Sequence, residues 1–135
     1  GSFVFMADLI RKIDFECEID FMKVNSYVGK ETSGKVQLEK DININIDNRR
    51  VIIVEDIIDS GLTMDYLHKH ISAYNPKDIT IVTLLLKNNN YTLNFNIDIV
   101  GFEITSEFVV GYGLDLDHRF RQLDSLYTLE PNMLA

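Results

Sequence analysis

The residue types best suited to chemistry lie in one run of thirteen residues, Val51 to Thr63. Its first four residues, Val51 to Val54, are β-branched and predict a parallel-sheet strand that is buried on both faces. Three acids, a glycine and two hydroxyl residues follow the strand: Glu55, Asp56, Asp59, Ser60, Gly61 and Thr63. A helical pattern comes next. A strand, a glycine turn and a helix start direct backbone N–H groups at one point, which favours a bound phosphate.

The acids beside this predicted phosphate site indicate a more specific ligand. Carboxylates accept hydrogen bonds from ribose hydroxyls, and they help to hold Mg²⁺ that bridges phosphate oxygens. A strand end with solvated acids before a helix cap would explain any one of these residues, but it explains their complete order less well. The run therefore predicts a site for a phosphorylated ribose, at the carboxyl edge of a parallel sheet.

The run resembles the phosphoribosyl-pyrophosphate motif of the type I phosphoribosyltransferases, in which an apolar strand precedes two acids, two apolar residues and Asp-Ser/Thr-Gly-x-Thr. The hypoxanthine-guanine branch is the most similar, because Val54 to Gly61 match its Val-Glu-Asp-Ile-Ile-Asp-Ser/Thr-Gly form. The resemblance extends from Gly1 to about Leu129. It implies the α/β fold of that family, with a central, mostly parallel sheet flanked by helices and a small hood formed partly by the termini.

The resemblance assigns roles within the motif. Glu55 and Asp56 would hold the ribose hydroxyls and Mg²⁺, and Asp59 would accept the N7 proton of the base. The 5′-phosphate would be held by Asp59, Ser60, Gly61, Leu62 and Thr63. Some relatives have a lysine where this chain has Leu62, so here the backbone amides would have to hold the phosphate.

Five further residues match the family at the base and pyrophosphate end. Lys87 closes an apolar strand, where a surface lysine would be the ordinary interpretation, but the family uses a lysine there to donate to the purine 6-oxo group. Phe108 and Val109 match the element that stacks on the purine and bonds its edge; a core aromatic is the alternative for Phe108. Asp115 matches an acid near the purine and a Mg²⁺ site, and Arg121 matches an arginine that contacts pyrophosphate.

Two stretches near the start of the chain also match. Gly1 and Ser2 correspond to the second half of a pyrophosphate-binding loop, which implies that the N-terminal part of the family domain lies outside this sequence. Ser26 and Tyr27 correspond to a pair that opens a mobile loop over the active site, here 29–34. A plain hairpin with a surface tyrosine explains that pair equally well.

Composition limits the class of protein. A chain of 135 residues that is 46% hydrophobic is expected to form a single domain. It contains no apolar run of membrane-spanning length and no visible secretory leader. A net charge of −8 argues against nucleic-acid binding. The lone cysteine, Cys17, is expected to be a buried strand thiol and fits a reducing, cytoplasmic location.

Periodicity predicts the remaining elements. Helices are expected over 3–13 and 64–71, and strands over 16–28, 36–38, 42–46, 79–86, 97–102 and 126–129. His68 and His70 are expected at the surface, and Phe102 in the core. No repeat or linker divides the chain, so residues 1–135 are expected to be one phosphoribosyltransferase domain.

The resemblance implies an enzyme of purine salvage with Mg²⁺ as cofactor. It would transfer the phosphoribosyl group of phosphoribosyl pyrophosphate to hypoxanthine or guanine, forming IMP or GMP and pyrophosphate, as a homodimer or homotetramer. The alternative is a regulatory protein of the same fold that binds phosphoribosyl pyrophosphate as an effector. Such a protein needs the phosphate loop but not Lys87, Asp115 and Arg121, so the enzyme is favoured.

Overall fold

The computed structural model describes residues 1–29, 32–88, 92–130 and 132. Two helices and seven strands lie in these ranges. In chain order they are α1 (Phe3–Ile10), β1 (Lys23–Gly29), β2 (Thr32–Lys40), β3 (Arg50–Ile58), α2 (Leu62–Ser72), β4 (Asp78–Lys87), β5 (Ile99–Ile104), β6 (Val109–Val110) and β7 (Tyr127–Thr128).

The centre of the fold is a three-stranded parallel sheet with the order β3-β4-β5. Its register pairs Ile58 at the end of β3 with Leu86 near the end of β4. Two small antiparallel sheets, β1-β2 and β6-β7, accompany it. The α/β class and the parallel central sheet are therefore confirmed.

Two apolar clusters attach the helices to this sheet. Met64 and Leu67 of α2 are buried with Ile58 and Ile81 from β3 and β4. The second cluster contains Leu84, Leu85 and Leu114, and Phe5 of α1 packs against it. Because α1 and α2 belong to different clusters, each helix covers its own part of the sheet.

The predicted strand over 42–46 is wrong, because Asp20 binds the backbone that a neighbouring strand would need. Its carboxylate accepts hydrogen bonds from the N–H groups of Asn43 (2.5 Å) and Ile44 (3.2 Å). It also accepts a hydrogen bond from the N–H of Phe21. Residues 16–22 of the predicted first strand are not in a strand, and β1 begins at Lys23. The alternating apolar residues of 42–46 therefore lie in a connection that is held by the Asp20 carboxylate, and they do not join a sheet.

Several predicted environments differ from those observed. Cys17 is exposed instead of being buried in a strand. Phe102 is 63% exposed, and Ile52 on β3 is 46% exposed, so β3 is not buried on both faces. The two histidines are half-buried: His68 stacks on Phe95, and Nε2 of His70 lies 2.9 Å from a carboxylate oxygen of Asp41.

Element boundaries differ as well. Helix α1 is shorter than the predicted 3–13. Strand β1 ends at Gly29 and β2 begins at Thr32, so both strands include part of the range 29–34 that was expected to be a loop. Residues 30 and 31 of that range lie outside the described residues. The longest helix among the described residues, α2, has 11 residues, and none of these helices is long and apolar enough to cross a membrane.

Replacing Asp20 by alanine should destabilise the fold in a pH-dependent way. Hydrogen bonds from the backbone N–H groups of Asn43 and Phe21 hold the pKa of Asp20 well below its usual range. A depressed pKa in the folded state adds stability that is present above the unfolded-state pKa and is lost as the pH falls through the folded-state value. Urea unfolding at pH 7 should therefore give Asp20→Ala a lower free energy of unfolding than the unaltered protein. The difference between the two free energies should become smaller as the pH is lowered.

Asp78→Ala is the matched control for this experiment, since Asp78 makes an exposed ion pair with Arg50 (3.5 Å). Exposed pairs contribute roughly 0–1 kcal/mol. An Asp20→Ala deficit that is no larger than that of the control, or one that does not change with pH, would contradict the assigned role of Asp20.

Candidate functional site

The end of β3 presents two adjacent acids in a confined position. Burial, together with the charge of the neighbouring Asp56 carboxylate, raises the pKa of the Glu55 carboxyl to about 8. The Asp56 side chain is only 17% exposed, and its Oδ1 accepts a hydrogen bond from the N–H of Ile57 (2.9 Å). The raised pKa means that Glu55 holds its proton readily in the single chain, and a bound cation or hydroxyl donors would favour its ionised form.

The turn after β3 has the backbone geometry that a phosphate loop needs. Gly61 is buried and adopts φ = 78°, a left-handed conformation that glycine reaches without strain. Helix α2 begins at the next residue, Leu62, and the N–H of Asp65 donates to the Gly61 carbonyl (2.8 Å). The turn therefore places a helix N-terminus, with its partial positive charge, at the carboxyl edge of the sheet.

The parallel register places Lys87 beside Asp59. Ile58 pairs with Leu86, so Asp59, the first residue after β3, is adjacent to Lys87, the last residue of β4. The Lys87 Nζ lies 2.9 Å from Asp59 Oδ2. The Lys87 side chain is only 12% exposed, whereas that of Asp59 is 56% exposed. A buried ammonium is thus paired with an acid that remains accessible to a ligand.

A second ion pair lies in the connection after β6. Asp115 Oδ1 is 3.0 Å from an Arg121 guanidinium nitrogen, and Asp115 Oδ2 accepts a hydrogen bond from the N–H of His118 (2.8 Å). Arg121 also donates to the carbonyl of Gly113 (2.7 Å). Phe108, immediately before β6, is half-buried. The predicted pyrophosphate arginine is therefore fixed by the predicted purine-side acid.

The N-terminal end of α1 joins these two halves of the site. The Gly1 nitrogen lies 4.0 Å from Asp56 Oδ2. A Cβ added at Gly113 would overlap the carbonyl oxygen of Gly1, so the backbones of these two glycines are in close contact. Gly1 thus lies between the acidic pair at the end of β3 and the connection that contains Arg121.

These observations allow a test of the predicted Mg²⁺ ligands. Glu55 and Asp56 suit Mg²⁺, which commonly takes one or two protein carboxylates and keeps waters and substrate oxygens as its other ligands. Among the residues that the structure describes, no group of three or more His, Cys, Asp or Glu side chains could hold a metal. Asp115 is paired with Arg121 instead of lying with Glu55 and Asp56 in one ligand set, so its role as a ligand stays a prediction.

The predicted loop residues are the least connected to the site. Ser26 is exposed on β1, in the separate β1-β2 sheet, where it pairs with Val36. Tyr27 pairs with Lys35 through its backbone, and its side chain lies outside the described residues. Their role over the active site stays a prediction.

Sequence reasoning missed one feature of the site, the hydrogen bond from Tyr112 to Asp8. The available signal was the pair of glycines that flank Tyr112, since glycines so closely spaced often mark a backbone with positive φ.

The comparisons with known proteins agree with this geometry. The family model for the phosphoribosyl transferase domain matches residues 1–117. The hypoxanthine-guanine phosphoribosyltransferase of Bacillus subtilis is 47% identical over 133 residues, which cover 97% of this chain and 73% of that protein. The enzyme of the same name from Mycobacterium bovis is 43% identical over 135 residues. That alignment covers 98% of this chain, which spans 66%, or slightly less than two thirds, of the mycobacterial protein.

Solved structures give the same result for the fold. A hypoxanthine phosphoribosyltransferase from Staphylococcus aureus superimposes with a TM-score of 0.92 at 40% identity, covering 100% of this chain and 74% of that one. A Bacillus anthracis hypoxanthine-guanine phosphoribosyltransferase, solved with a HEPES molecule in its active site, gives 0.89 at 46% identity and covers 96% and 77%. By its matched domain, by identities well above 30% and by its fold, this chain belongs to the phosphoribosyltransferase family, in the hypoxanthine-guanine branch.

Proposed function

We propose that this protein transfers the 5-phosphoribosyl group of phosphoribosyl pyrophosphate to hypoxanthine or guanine, forming IMP or GMP and releasing pyrophosphate. The observation that supports this most strongly is the Lys87–Asp59 pair beside the phosphate loop. It puts a buried donor and an accessible proton acceptor together, next to the helix start where the sugar phosphate would bind. Residues 1–135 would belong to a single catalytic domain.

The ribose phosphate would bind across the end of β3 and the start of α2. The backbone N–H groups of 60–63 would hold the 5′-phosphate, and Glu55 and Asp56 would accept hydrogen bonds from the ribose hydroxyls. The same two acids would hold Mg²⁺, which supplies charge neutralisation for the pyrophosphate when bound. Gly1 and Arg121 would contact that pyrophosphate.

The purine would lie against Phe108 with its O6 and N7 edge towards the ion pair. Lys87 would donate a hydrogen bond to O6, and Asp59 would accept the N7 proton as N9 bonds to the ribose C1′ and the bond from C1′ to pyrophosphate breaks. Val109 would bond the purine edge through its backbone, and Asp115 would lie near the base. The rate would come from positioning and charge stabilisation, in addition to one proton transfer.

Adenine should be a poor substrate because its 6-amino group would face the Lys87 ammonium with no acceptor between them. Sites built around a specific hydrogen bond reject the wrong partner by roughly 10⁴ to 10⁵. A regulatory protein that binds phosphoribosyl pyrophosphate would need the phosphate loop alone. The pairing of Lys87 with Asp59, and of Arg121 with Asp115, therefore favours the enzyme.

We also propose that the protein acts in the cytoplasm as a homodimer or homotetramer. An assembly would give cover to Ile99 and Phe102 of β5, which are 56% and 63% exposed in the single chain. Sedimentation equilibrium would show a monomer if this proposal is wrong.

A formation assay tests the reaction directly. With phosphoribosyl pyrophosphate and Mg²⁺, the whole protein should convert hypoxanthine, guanine or xanthine to the nucleotide and release one pyrophosphate per product. The rate with adenine should be lower by about four orders of magnitude. Binding of phosphoribosyl pyrophosphate without turnover of any base would favour the regulatory alternative instead.

Asp59→Asn should lower turnover by about 10²- to 10⁴-fold, since the amide keeps the shape but cannot take the N7 proton. Affinity for phosphoribosyl pyrophosphate should be nearly unchanged. The matched control is Asp65→Asn, which alters another acid paired with a lysine (Lys69, 2.7 Å) but on the exposed side of α2. If Asp59→Asn and Asp65→Asn have the same turnover, and the chemical step limits the rate, Asp59 is not the proton acceptor.

Lys87→Ala should weaken binding of the 6-oxopurine by about 1–3 kcal/mol, or roughly five- to 150-fold in KM, because a charged donor to a buried acceptor is lost. The KM for phosphoribosyl pyrophosphate should change little. Lys69→Ala, which breaks the comparable surface pair with Asp65, should leave both constants unchanged. Equal losses for both substrates in Lys87→Ala would assign Lys87 a structural role.

A further inference from the structure

Tyr112 lies in an unusual stretch of backbone between the purine-side element and Arg121. Gly111, Tyr112 and Gly113 have φ values of 90°, 51° and 96°, three consecutive residues in a region that side chains rarely adopt. A tyrosine held there costs conformational energy and persists only where other interactions fix it. Such a backbone is therefore evidence that the position of Tyr112 matters to its neighbours.

Three interactions fix Tyr112. Its N–H donates to the carbonyl of Leu123 (2.9 Å), and its ring packs against the cluster that contains Leu85 and Leu114. Its hydroxyl donates to the carboxylate of Asp8 on α1, 104 residues earlier in the chain. Phe5, one helical turn before Asp8, packs against the same cluster, so α1 meets this region through both an apolar and a polar contact.

The Asp8 carboxylate is well prepared to accept this bond. It also accepts a hydrogen bond from Arg11, the residue that follows the last residue of α1. The hydrogen bond from Tyr112, followed by that from Arg11, lowers the pKa of Asp8, while the pKa of the Tyr112 hydroxyl is raised. Asp8 is thus ionised at neutral pH and the tyrosine is protonated, which is the arrangement of a strong charge-assisted hydrogen bond.

This bond connects the two chain segments that form the pyrophosphate end of the site. Helix α1 begins directly after Gly1 and Ser2, whereas Gly113 is the residue after Tyr112. The Gly113 backbone contacts the Gly1 carbonyl, and the Gly113 carbonyl accepts a hydrogen bond from Arg121. A change in the distance between Tyr112 and α1 would therefore move Gly1 relative to Arg121.

We propose that Tyr112 and Asp8 form a positioning pair that sets the spacing of Gly1 and Arg121 and so determines affinity for the pyrophosphate group of phosphoribosyl pyrophosphate. The proposal rests on the proposed function for the identity of that ligand. Neither residue touches the reacting atoms. The pair acts through the two backbone segments that it joins.

Tyr112→Phe tests the pair, because it removes one hydroxyl and keeps the ring. In the whole protein it should raise the KM for phosphoribosyl pyrophosphate, and its Kd measured by calorimetry with Mg²⁺, by about three- to tenfold. The KM for hypoxanthine should be unchanged. The matched control is Tyr74→Phe, which removes the same group from a tyrosine two residues after the end of α2 that donates to Asp41 (2.6 Å). It should change neither constant.

Asp8 variants separate positioning from mere stability. Asp8→Ala should repeat the effect of Tyr112→Phe, and the double variant should be no worse than either single one, since both remove the same bond. Asp8→Asn should restore most of the affinity, because its amide oxygen can accept from the tyrosine. Melting temperatures of all variants should show that they are folded.

The alternative outcomes are distinct. An unchanged KM and Kd for phosphoribosyl pyrophosphate in Tyr112→Phe, or equal losses for both substrates, would overturn the positioning role while leaving the proposed function intact. An unaltered protein that binds phosphoribosyl pyrophosphate but does not turn over a base would overturn the proposed function, yet the Kd comparison would still decide the role of the pair. An unaltered protein with no affinity for the compound would overturn both.

Discussion

The parallel register of β3 and β4 is the constraint on which the site depends. Hydrogen bonding along the two strands pairs Ile58 with Leu86. The next residues, Asp59 and Lys87, therefore lie next to each other at the carboxyl edge of the sheet. Asp59 and Lys87 are 28 positions apart in the chain, yet a shift of the register by one residue would separate them and turn the neighbouring side chains to the opposite face. Packing of β4 supports this register, because Ile81 lies in one apolar cluster with Ile58 while Leu84 and Leu85 lie in the other.

The chain has an overall excess of acids, but at the candidate site most acids are paired with a positively charged group. The formal net charge is −8, but each candidate ligand contact pairs an acid with a compensating group. Asp59 faces Lys87, Asp115 faces Arg121, and the helix start at Leu62 offers backbone N–H groups. The exception is the Glu55–Asp56 pair, where burial and mutual repulsion leave a carboxyl with a raised pKa. A bound cation, or a ligand with hydrogen-bond donors, would stabilise the ionised forms of these two adjacent acids.

The sequence predicted the elements that are governed by strong local patterns. The β-branched run of β3, the glycine turn before α2 and the apolar run that ends at Lys87 each have a clear boundary. All three lie where they were expected, although β3 is not buried on both faces. The prediction failed where a distant side chain decides the backbone. The alternation over 42–46 is genuine, but no sequence pattern reveals that Asp20 occupies the N–H groups of Asn43 and Ile44.

Long-range pairing limited the prediction of the site in the same way. A motif can indicate that Lys87 and Asp59 share a ligand, whereas their direct contact follows from the strand register. The bond between Tyr112 and Asp8 joins opposite ends of the chain and has no local signature beyond the glycines beside the tyrosine. Exposure is equally non-local, which explains why Phe102 and Cys17, both expected to be buried from the pattern of a predicted strand, lie at the surface.

Helix α2 has a further consequence through its length and its two ends. Its 11 residues span about 16 Å, and its first turn borders the proposed phosphate-binding turn. Near its other end, His70 and the following Tyr74 both hold the carboxylate of Asp41, the residue directly after β2. Because the same helix begins beside Gly61 and contacts Asp41 near its other end, it fixes the position of the β1-β2 hairpin relative to the carboxyl edge of the parallel sheet.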